Sequence, residues 1–410
     1  MATKDQYGIG LGGLRGRAQK RSVNMEAFEK NASSLTADGP DRVMPGVAMI
    51  AADRNGDILY SKSFGFTDAG PFSVDTPLWL ASFTKFITSV AVLQCVEKGL
   101  IDLDENVERI LPELSDLGIL YGFDEKTGEP LIKKAEKKIT LRHLLTHTSG
   151  LAYDKWHPLL AKWREVTKTT PVTGLQPVGW VYGASLDWAG KAVERVNGGM
   201  KLEEYFKANI FEPLGMKHTT LRPSQNKYIL DNKPESTTRA PTGGLIPTPV
   251  PVVEFMQPLK PFDDYGGHGL WSTPTEYITF LISILKNDGK LLAPETVSKM
   301  LEPQLSDNSH LIQFMQMSGT ELSMTNGVPG NVTWNHSLAG VLAMEDIPNR
   351  RLKGALNWHG IDNSFWWVDR ERGTCGLTAT QLSGLTDVKA ASLFSDFEAM
   401  IFELSGTKSS

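Results

Sequence analysis

Cysteine is nearly absent from this chain of 410 residues, which has only Cys95 and Cys375. One lies in an apolar, helix-like stretch and the other in a strand-like run. Both read as buried thiols in a reducing compartment, and a scaffold built on disulfides is excluded. No apolar run approaches the length of a membrane span, and Met1 to Met25 is polar and basic without the apolar core of a signal peptide. These two absences point to a cytoplasmic protein. An excess of positive charge is missing too: the net charge is -5, with Lys and Arg scattered, so nucleic acid and anionic membrane have no surface to bind. Gly8 to Gly13 is rich in glycine, yet no strand precedes it and no helix follows, and it reads as part of a flexible arm over 1–21 rather than a phosphate loop. His143 and His147 stand four apart, but they lack both the intervening Glu of a zinc protease and a third ligand, and they read as structural. Nothing in the sequence calls for a metal or an organic cofactor. What remains is an ordinary globular composition, 40% hydrophobic and 22% charged, suited to a small-molecule substrate.

Among the residues that are present, four Ser-x-x-Lys pairs compete, where chance alone gives about one or two. Ser224 to Lys227 falls in a polar loop and Ser405 to Lys408 in the tail. Ser283 to Lys286 closes a helix that starts near Glu276, where the helix dipole favours a charged, solvated lysine. Ser82 and Lys85 open a helix instead. Asp75 and Pro77 approach it, Val90, Ala91, Leu93 and Cys95 form its buried body, and Gly99 stops it. On one face of the first turn, Lys85 meets the positive helix end and burial beside Phe83 and Phe86, and both disfavour an ammonium. A neutral lysine next to a serine is a general base. Backbone N–H groups at the same helix end can face an oxyanion that develops on an attacked carbonyl.

The chain on either side of this helix supplies a sheet. Gly46 to Asp53 and Ile58 to Phe66 flank Asn55-Gly56, a hairpin signal. Strand-like runs return at Ser337 to Glu345, Gly354 to His359, Ser364 to Asp369 and Thr374 to Leu382, and a last helix covers about 387–404. Helices at Leu186 to Val196 and Leu202 to Ile210 lie between, with a Lys-rich polar run around 124–138 and a Pro-rich excursion over 223–262 that is placed to roof a cleft. Strands at both ends and helices between them imply one sheet from the termini and a helical lobe from the middle.

Four motifs carry a resemblance that covers about 22–404: Ser82-Phe-Thr-Lys85, Arg142-His-Leu-Leu-Thr-His-Thr-Ser-Gly-Leu151, Tyr182-Gly-Ala184, and Gly266-Gly-His-Gly-Leu-Trp-Ser272. Together they resemble the family of class C serine β-lactamases, penicillin-binding D,D-peptidases, and the esterases and acyltransferases of the same fold. His157-Pro-Leu-Leu160 and the segment Trp180 to Gly190 bring the chain nearest to fungal acyltransferases of the lovastatin-pathway type. The resemblance implies an α/β fold of the β-lactamase/transpeptidase kind: an antiparallel sheet built from both termini, flanked by helices, with an all-helical lobe inserted. It divides the chain into a sheet domain over 22–90 and 300–410 and a mainly helical lobe with cleft-covering loops over 91–299.

The same resemblance makes Tyr182 the third catalytic group, shuttling protons beside Ser82 and Lys85, and assigns the oxyanion hole to the backbone N–H groups of Ser82 and Ile361. Two departures stand out. Ala184 takes the place of the lactamase Asn, and Trp358-His359-Gly360 takes the place of Lys-Thr-Gly, so the cationic partner of a β-lactam carboxylate is gone. Trp358, His359 and Gly360, with Trp180, Trp271 and Trp366, are expected to bind substrate, and Trp156, Trp163 and Trp367 lie in neighbouring stretches. The implied reaction moves an acyl group from a thioester or ester, through acyl-Ser82, to a hydroxyl of a hydrophobic, polyketide-like metabolite. The partners are then a small-molecule acyl donor and an alcohol acceptor, with an acyl-carrier protein of a polyketide synthase as one means of delivering the donor. Three alternatives stay open: a carboxylesterase that uses water as acceptor, a base-assisted step on a polyketide, and a binding protein that has kept the fold without the chemistry.

Overall fold

The computed structural model describes residues 24–39, 42–68, 70–154, 157–168, 174–175, 179–317, 321–328, 332–384 and 386–406. The arm over 1–21, with its glycine run, and Trp156 lie outside them. Seven strands form one sheet, ordered in space Trp334–His336, Val341–Ala343, Leu356–His359, Phe365–Asp369, Thr374–Thr380, Val47–Asp53 and Ile58–Phe64. Every neighbouring pair is antiparallel. Val47 opposite Thr380 marks the seam where the two ends of the chain meet.

Side chains on successive strand residues point to opposite faces, and this alternation sorts the core into two layers. Val47, Met49, Ala51, Phe365 and Trp367 pack with Phe28 of the helix Met25–Leu35 and with Phe394 and Phe397 of the helix Val388–Gly406. Ala48, Ile50, Trp366, Leu377 and Ala379 face the other way, onto the helices Thr84–Glu97 and Pro274–Lys286. The helix Thr84–Glu97 is therefore buried nearly all round, from Thr84 to Cys95, which is why its sequence shows no polar stripe.

Three expectations are revised. Ser337 to Glu345 is not one strand but the turn and second arm of a hairpin: the Ser337 hydroxyl accepts from the N–H groups of Ala339 and Gly340, and the Ser337 N–H reaches Gly340 O, which reverses the chain. The inserted lobe is not purely helical, since the polar run around 124–138 falls in the hairpin Gly118–Phe123 and Pro130–Lys134. Its Lys133 and Lys134 are exposed, and so little apolar surface is buried there that no alternation betrays the strands. Thr237–Arg239 and Leu245–Pro247, within the Pro-rich excursion, form a second small sheet with Leu382–Ser383. Among the described residues, no helix is long and apolar enough to cross a membrane.

Candidate active site

The chain enters the central helix through Leu78–Trp79, paired with Trp271–Ser272, and a single tight turn, Ala81–Phe83. Ala81 has φ 45°, a left-handed conformation that costs a non-glycine residue energy and persists only where its surroundings enforce it. Those surroundings are visible. Leu80 N–H bonds Leu270 O at 2.9 Å, the Thr84 hydroxyl bonds Ala81 O at 2.5 Å, and Ala81 is buried among Trp79, Ile229 and Trp271. The strained corner projects the Ser82 side chain from the start of the helix.

Two groups converge on that serine. The Tyr182 hydroxyl lies 2.6 Å from Ser82 Oγ, and Lys85 Nζ lies 3.3 Å from it. Lys85 is only 4% exposed. Its amine donates to Gly267 O at 2.7 Å and also stands 3.3 Å from the Tyr153 hydroxyl. A carbonyl oxygen can only accept, so Gly267 O takes one N–H, whereas the hydroxyls of Ser82 and Tyr153 can give or accept a proton. Lys85 Nζ thus faces two hydroxyls with which it can exchange a proton. Tyr153 is not singled out by sequence reasoning, although it follows the His147-Thr-Ser-Gly-Leu151 motif by two residues. Burial, with the Asp187 and Tyr182 charges second, pushes its phenol far up, so it stays a proton donor. Gly183 secures Tyr182 against the same segment, because a Cβ there would stand 2.0 Å from Leu151 O.

The aromatic residues around Tyr182 form its wall. Trp180 is stacked at 6.1 Å, His147 lies at 4.8 Å and Trp358 at 5.6 Å. His147 is pinned by Val181 N–H on its carbonyl, and burial holds its imidazole neutral, far below the usual value. His143 instead completes a helix cap, its ring nitrogen accepting from Thr140 N–H at 3.1 Å. The two histidines that the spacing sets together thus serve different ends. Among the described residues, no three His, Cys, Asp or Glu side chains are placed to hold a metal ion. A cavity of only about 10 Å³, room for hardly more than one water, lies behind Lys85, lined by Ser89, His147, His336 and Trp358 among others.

The expected tryptophans separate. Trp366 is fully buried, stacked at 4.7 Å on Phe86 beneath the central helix, and cannot meet a ligand. Trp271 is 3% exposed in the cluster under Ala81. Both are core residues and not binding surface: Trp271 packs with Ala81 at the strained corner, and Trp366 packs against the central helix. Trp180 and Trp358 are buried too, but against the ring of Tyr182, so they shape the site from behind. Trp163 packs in a separate small cluster with Leu120 and Leu160. His359 lies opposite Phe365 across the strand pair, and burial lowers its imidazole to about 4, so it is neutral near pH 7.

After Gly360 the chain turns back through Ile361 and Asp362 to Ser364, closed by Gly360 N–H on Ser364 O. The Ile361 side chain packs on the Trp79–Ala81 cluster, which brings this turn alongside Ser82. Asp362 is fully buried, hydrogen-bonded to the Ser364 hydroxyl, and burial raises its carboxyl to about 7. The folded state therefore favours the protonated form. The stability that this supplies is complete below the ordinary carboxyl range near 4 and is lost as the pH rises toward about 7. We expect Asp362→Asn, which cannot ionise, to gain on the wild type by about 2–3 kcal/mol between pH 5 and pH 8. Denaturant unfolding of both proteins at the two pH values measures this, and a constant difference would refute it.

The family model described as Beta-lactamase matches residues 27–395. The ML-236A carboxylate methylbutanoyltransferase of Penicillium citrinum is 36% identical, with 92% of this chain and 94% of that protein covered. The lovastatin esterase of Penicillium rubens is 33% identical, with 82% and 88% covered. The unliganded simvastatin synthase of Aspergillus terreus superposes with a TM-score of 0.84 at 34% identity, with 94% of this chain and 99% of that one covered. With a family match over nearly its whole length and relatives this similar along it, the chain belongs to the β-lactamase family and is an enzyme of its serine hydrolase and transferase kind.

Proposed function

We propose that this enzyme is a serine acyltransferase whose nucleophile is Ser82. The observation that carries the reading is the Tyr182 hydroxyl at 2.6 Å and the Lys85 amine at 3.3 Å from one serine hydroxyl. Ser82 Oγ attacks the carbonyl of a thioester or ester, and its proton passes to the Lys85–Tyr182 pair. The backbone N–H groups of Ser82 and Ile361 hold the developing oxyanion. The C–S or C–O bond then breaks, the leaving group takes the proton, and acyl-Ser82 remains. In the second half the hydroxyl of the acceptor attacks the acyl-enzyme, gives its proton to the same pair, and the ester departs as Ser82 regains its hydrogen.

The methylbutanoyl transfer named for the Penicillium relative supports a short branched acyl chain, and a hydroxylated polyketide is the acceptor we propose. A carrier protein that bears the donor thioester belongs to this proposal, as does work in the cytosol, which the two buried free thiols support. The esterase among the relatives favours a second reading in which water takes the acyl group. We expect 2-methylbutyryl-N-acetylcysteamine to leave an acyl mass on Ser82 in an intact-protein mass spectrum. The adduct should discharge faster to a hydroxylated polyketide than to water. No adduct would refute the proposal, and discharge to water alone would favour the esterase.

The same experiment extends to β-lactams. Trp358 stands where a carboxylate-binding lysine is expected, and it is buried against Tyr182. A charge-assisted hydrogen bond of about 1.5–3 kcal/mol is thus missing. We expect penicillin and cephalosporin turnover at least ten-fold to a hundred-fold below that of uncharged short-chain esters. Comparable kcat/KM values for the two classes would overturn this.

A further inference from the structure

We propose that Asp187 is a positioning residue that holds the Lys85 amine in reach of Ser82, an inference that rests on the acyl-transfer reading above. Asp187 comes five residues after Tyr182, in the first turn of the helix Ser185–Val196. Its Oδ1 accepts from Gly267 N–H at 2.8 Å, and the carbonyl of the same Gly267 accepts from Lys85 Nζ at 2.7 Å. One residue is thus gripped on both sides: by the carboxylate through its N–H and by the catalytic amine through its oxygen.

The loop is built for that grip. A Cβ on Gly267 would stand 2.6 Å from Asp187 Oδ2 and 2.9 Å from its Cγ, so only glycine lets the backbone reach the carboxylate. The neighbouring peptides are held from other directions. Thr88 Oγ1 donates to Gly266 O at 2.6 Å, Trp79 Nε1 donates to His268 O at 2.6 Å, and Thr84 Oγ1 accepts from Leu270 N–H at 3.0 Å. Thr88, Trp79 and Thr84 all belong to the Ser82 segment. Asp187 comes from the Tyr182 segment, so its bond fixes the amine relative to the phenol as well as to the serine.

A surface role explains the residue less well. Among the described residues, no lysine or arginine pairs with Asp187, and its nearest basic group is His268 Nδ1 at 3.7 Å. The side chain is only 21% exposed, and a charge-assisted bond to a backbone N–H is among the stronger hydrogen bonds. Without it the Gly267 carbonyl loses its fixed direction, and the 3.3 Å approach of Lys85 to Ser82 is no longer enforced. A misplacement of about 1 Å between reacting groups costs about a hundred-fold in rate.

The test compares full-length wild type, Asp187→Ala, Asp187→Asn and Asp187→Glu with butyryl-N-acetylcysteamine as donor, reading kcat, KM, the rate of acyl-Ser82 formation by mass spectrometry, and Tm. We expect Asp187→Ala to lower kcat and acylation about 30-fold to 100-fold with KM little changed. Asp187→Asn, whose amide oxygen still accepts from Gly267 N–H, should recover most of the loss. Asp187→Glu keeps the charge one methylene too far out, and should lose rate while its Tm stays near wild type. It decides the matter if the alanine variant does not fold. Wild-type acylation by the alanine or glutamate variant, an asparagine variant as impaired as alanine, or a loss confined to KM would overturn the inference. A wild-type protein that forms no acyl-Ser82 overturns the acyl-transfer reading along with it, whereas normal wild-type acylation matched by Asp187→Ala overturns the Asp187 inference alone.

Discussion

Ser82→Ala is expected to leave no measurable acyl transfer, a fall of at least about 10⁴-fold in kcat, and no acyl adduct. Removing the nucleophile of a serine enzyme leaves only what binding and the oxyanion donors supply. The fold should survive. Ser82 contributes one hydroxyl, bonded to Tyr182 at 2.6 Å, and the loss of such a bond costs about 0.5–1.5 kcal/mol. The corner that carries it is held by Leu80, Ala81 and Thr84, which the substitution does not touch. Thermal unfolding within a few degrees of wild type, beside absent turnover with an activated thioester, is the expected pair of results. Turnover within ten-fold of wild type would remove Ser82 from the mechanism and leave the convergence of Lys85 and Tyr182 on it without a purpose.

Lys85→Arg is expected to be nearly as damaging, with a loss of about 10³-fold or more in kcat/KM. A guanidinium stays protonated at any working pH and cannot take the serine proton. General acid–base catalysis alone is worth about 10²–10⁴. The site also fits an amine in shape: Nζ lies 2.7 Å from Gly267 O and 3.3 Å from both Ser82 Oγ and the Tyr153 hydroxyl, and the side chain is only 4% exposed. A planar fork has no room there, so Tm should fall as well, and Lys85→Ala serves as the smaller control. If both variants fold and both lose the adduct on Ser82, the amine is the base. An arginine variant within ten-fold of wild type would transfer that role to Tyr182.

How far such results could be foreseen from the chain alone differs from residue to residue. The Ser82–Lys85 pair was legible because three of the four Ser-x-x-Lys copies fail on local grounds: a polar loop, a tail, and the wrong end of a helix. Local physics settles that choice, through the dipole and the apolar run from Val90 to Cys95. The terminal strands were legible through Asn55-Gly56 and the β-rich runs after Gly354, since hydrophobic alternation and turn chemistry act over a few residues. The hairpin over 118–134 was not, because it buries too little to impose a pattern.

Tyr182 needed the motif match, since a lone tyrosine among tryptophans is ordinarily core. The tertiary structure alone brought Tyr153 and Gly267 to the amine, from positions 68 and 182 residues away in the chain, and Asp187 to Gly267. It also assigned the tryptophans: the side chains of Trp366 and Trp367 leave adjacent strand residues toward opposite layers, and which layer holds the cleft depends on how the sheet packs. Burial decided the ionisation of Asp362 and His359 in the same way. The sequence by itself determined which groups were available for chemistry and where helices and strands begin, because those are short-range preferences. Which of these groups meet, which are shut from water and which carbonyl a lysine must face are set by contacts between distant segments, and a single chain read in order does not contain those distances.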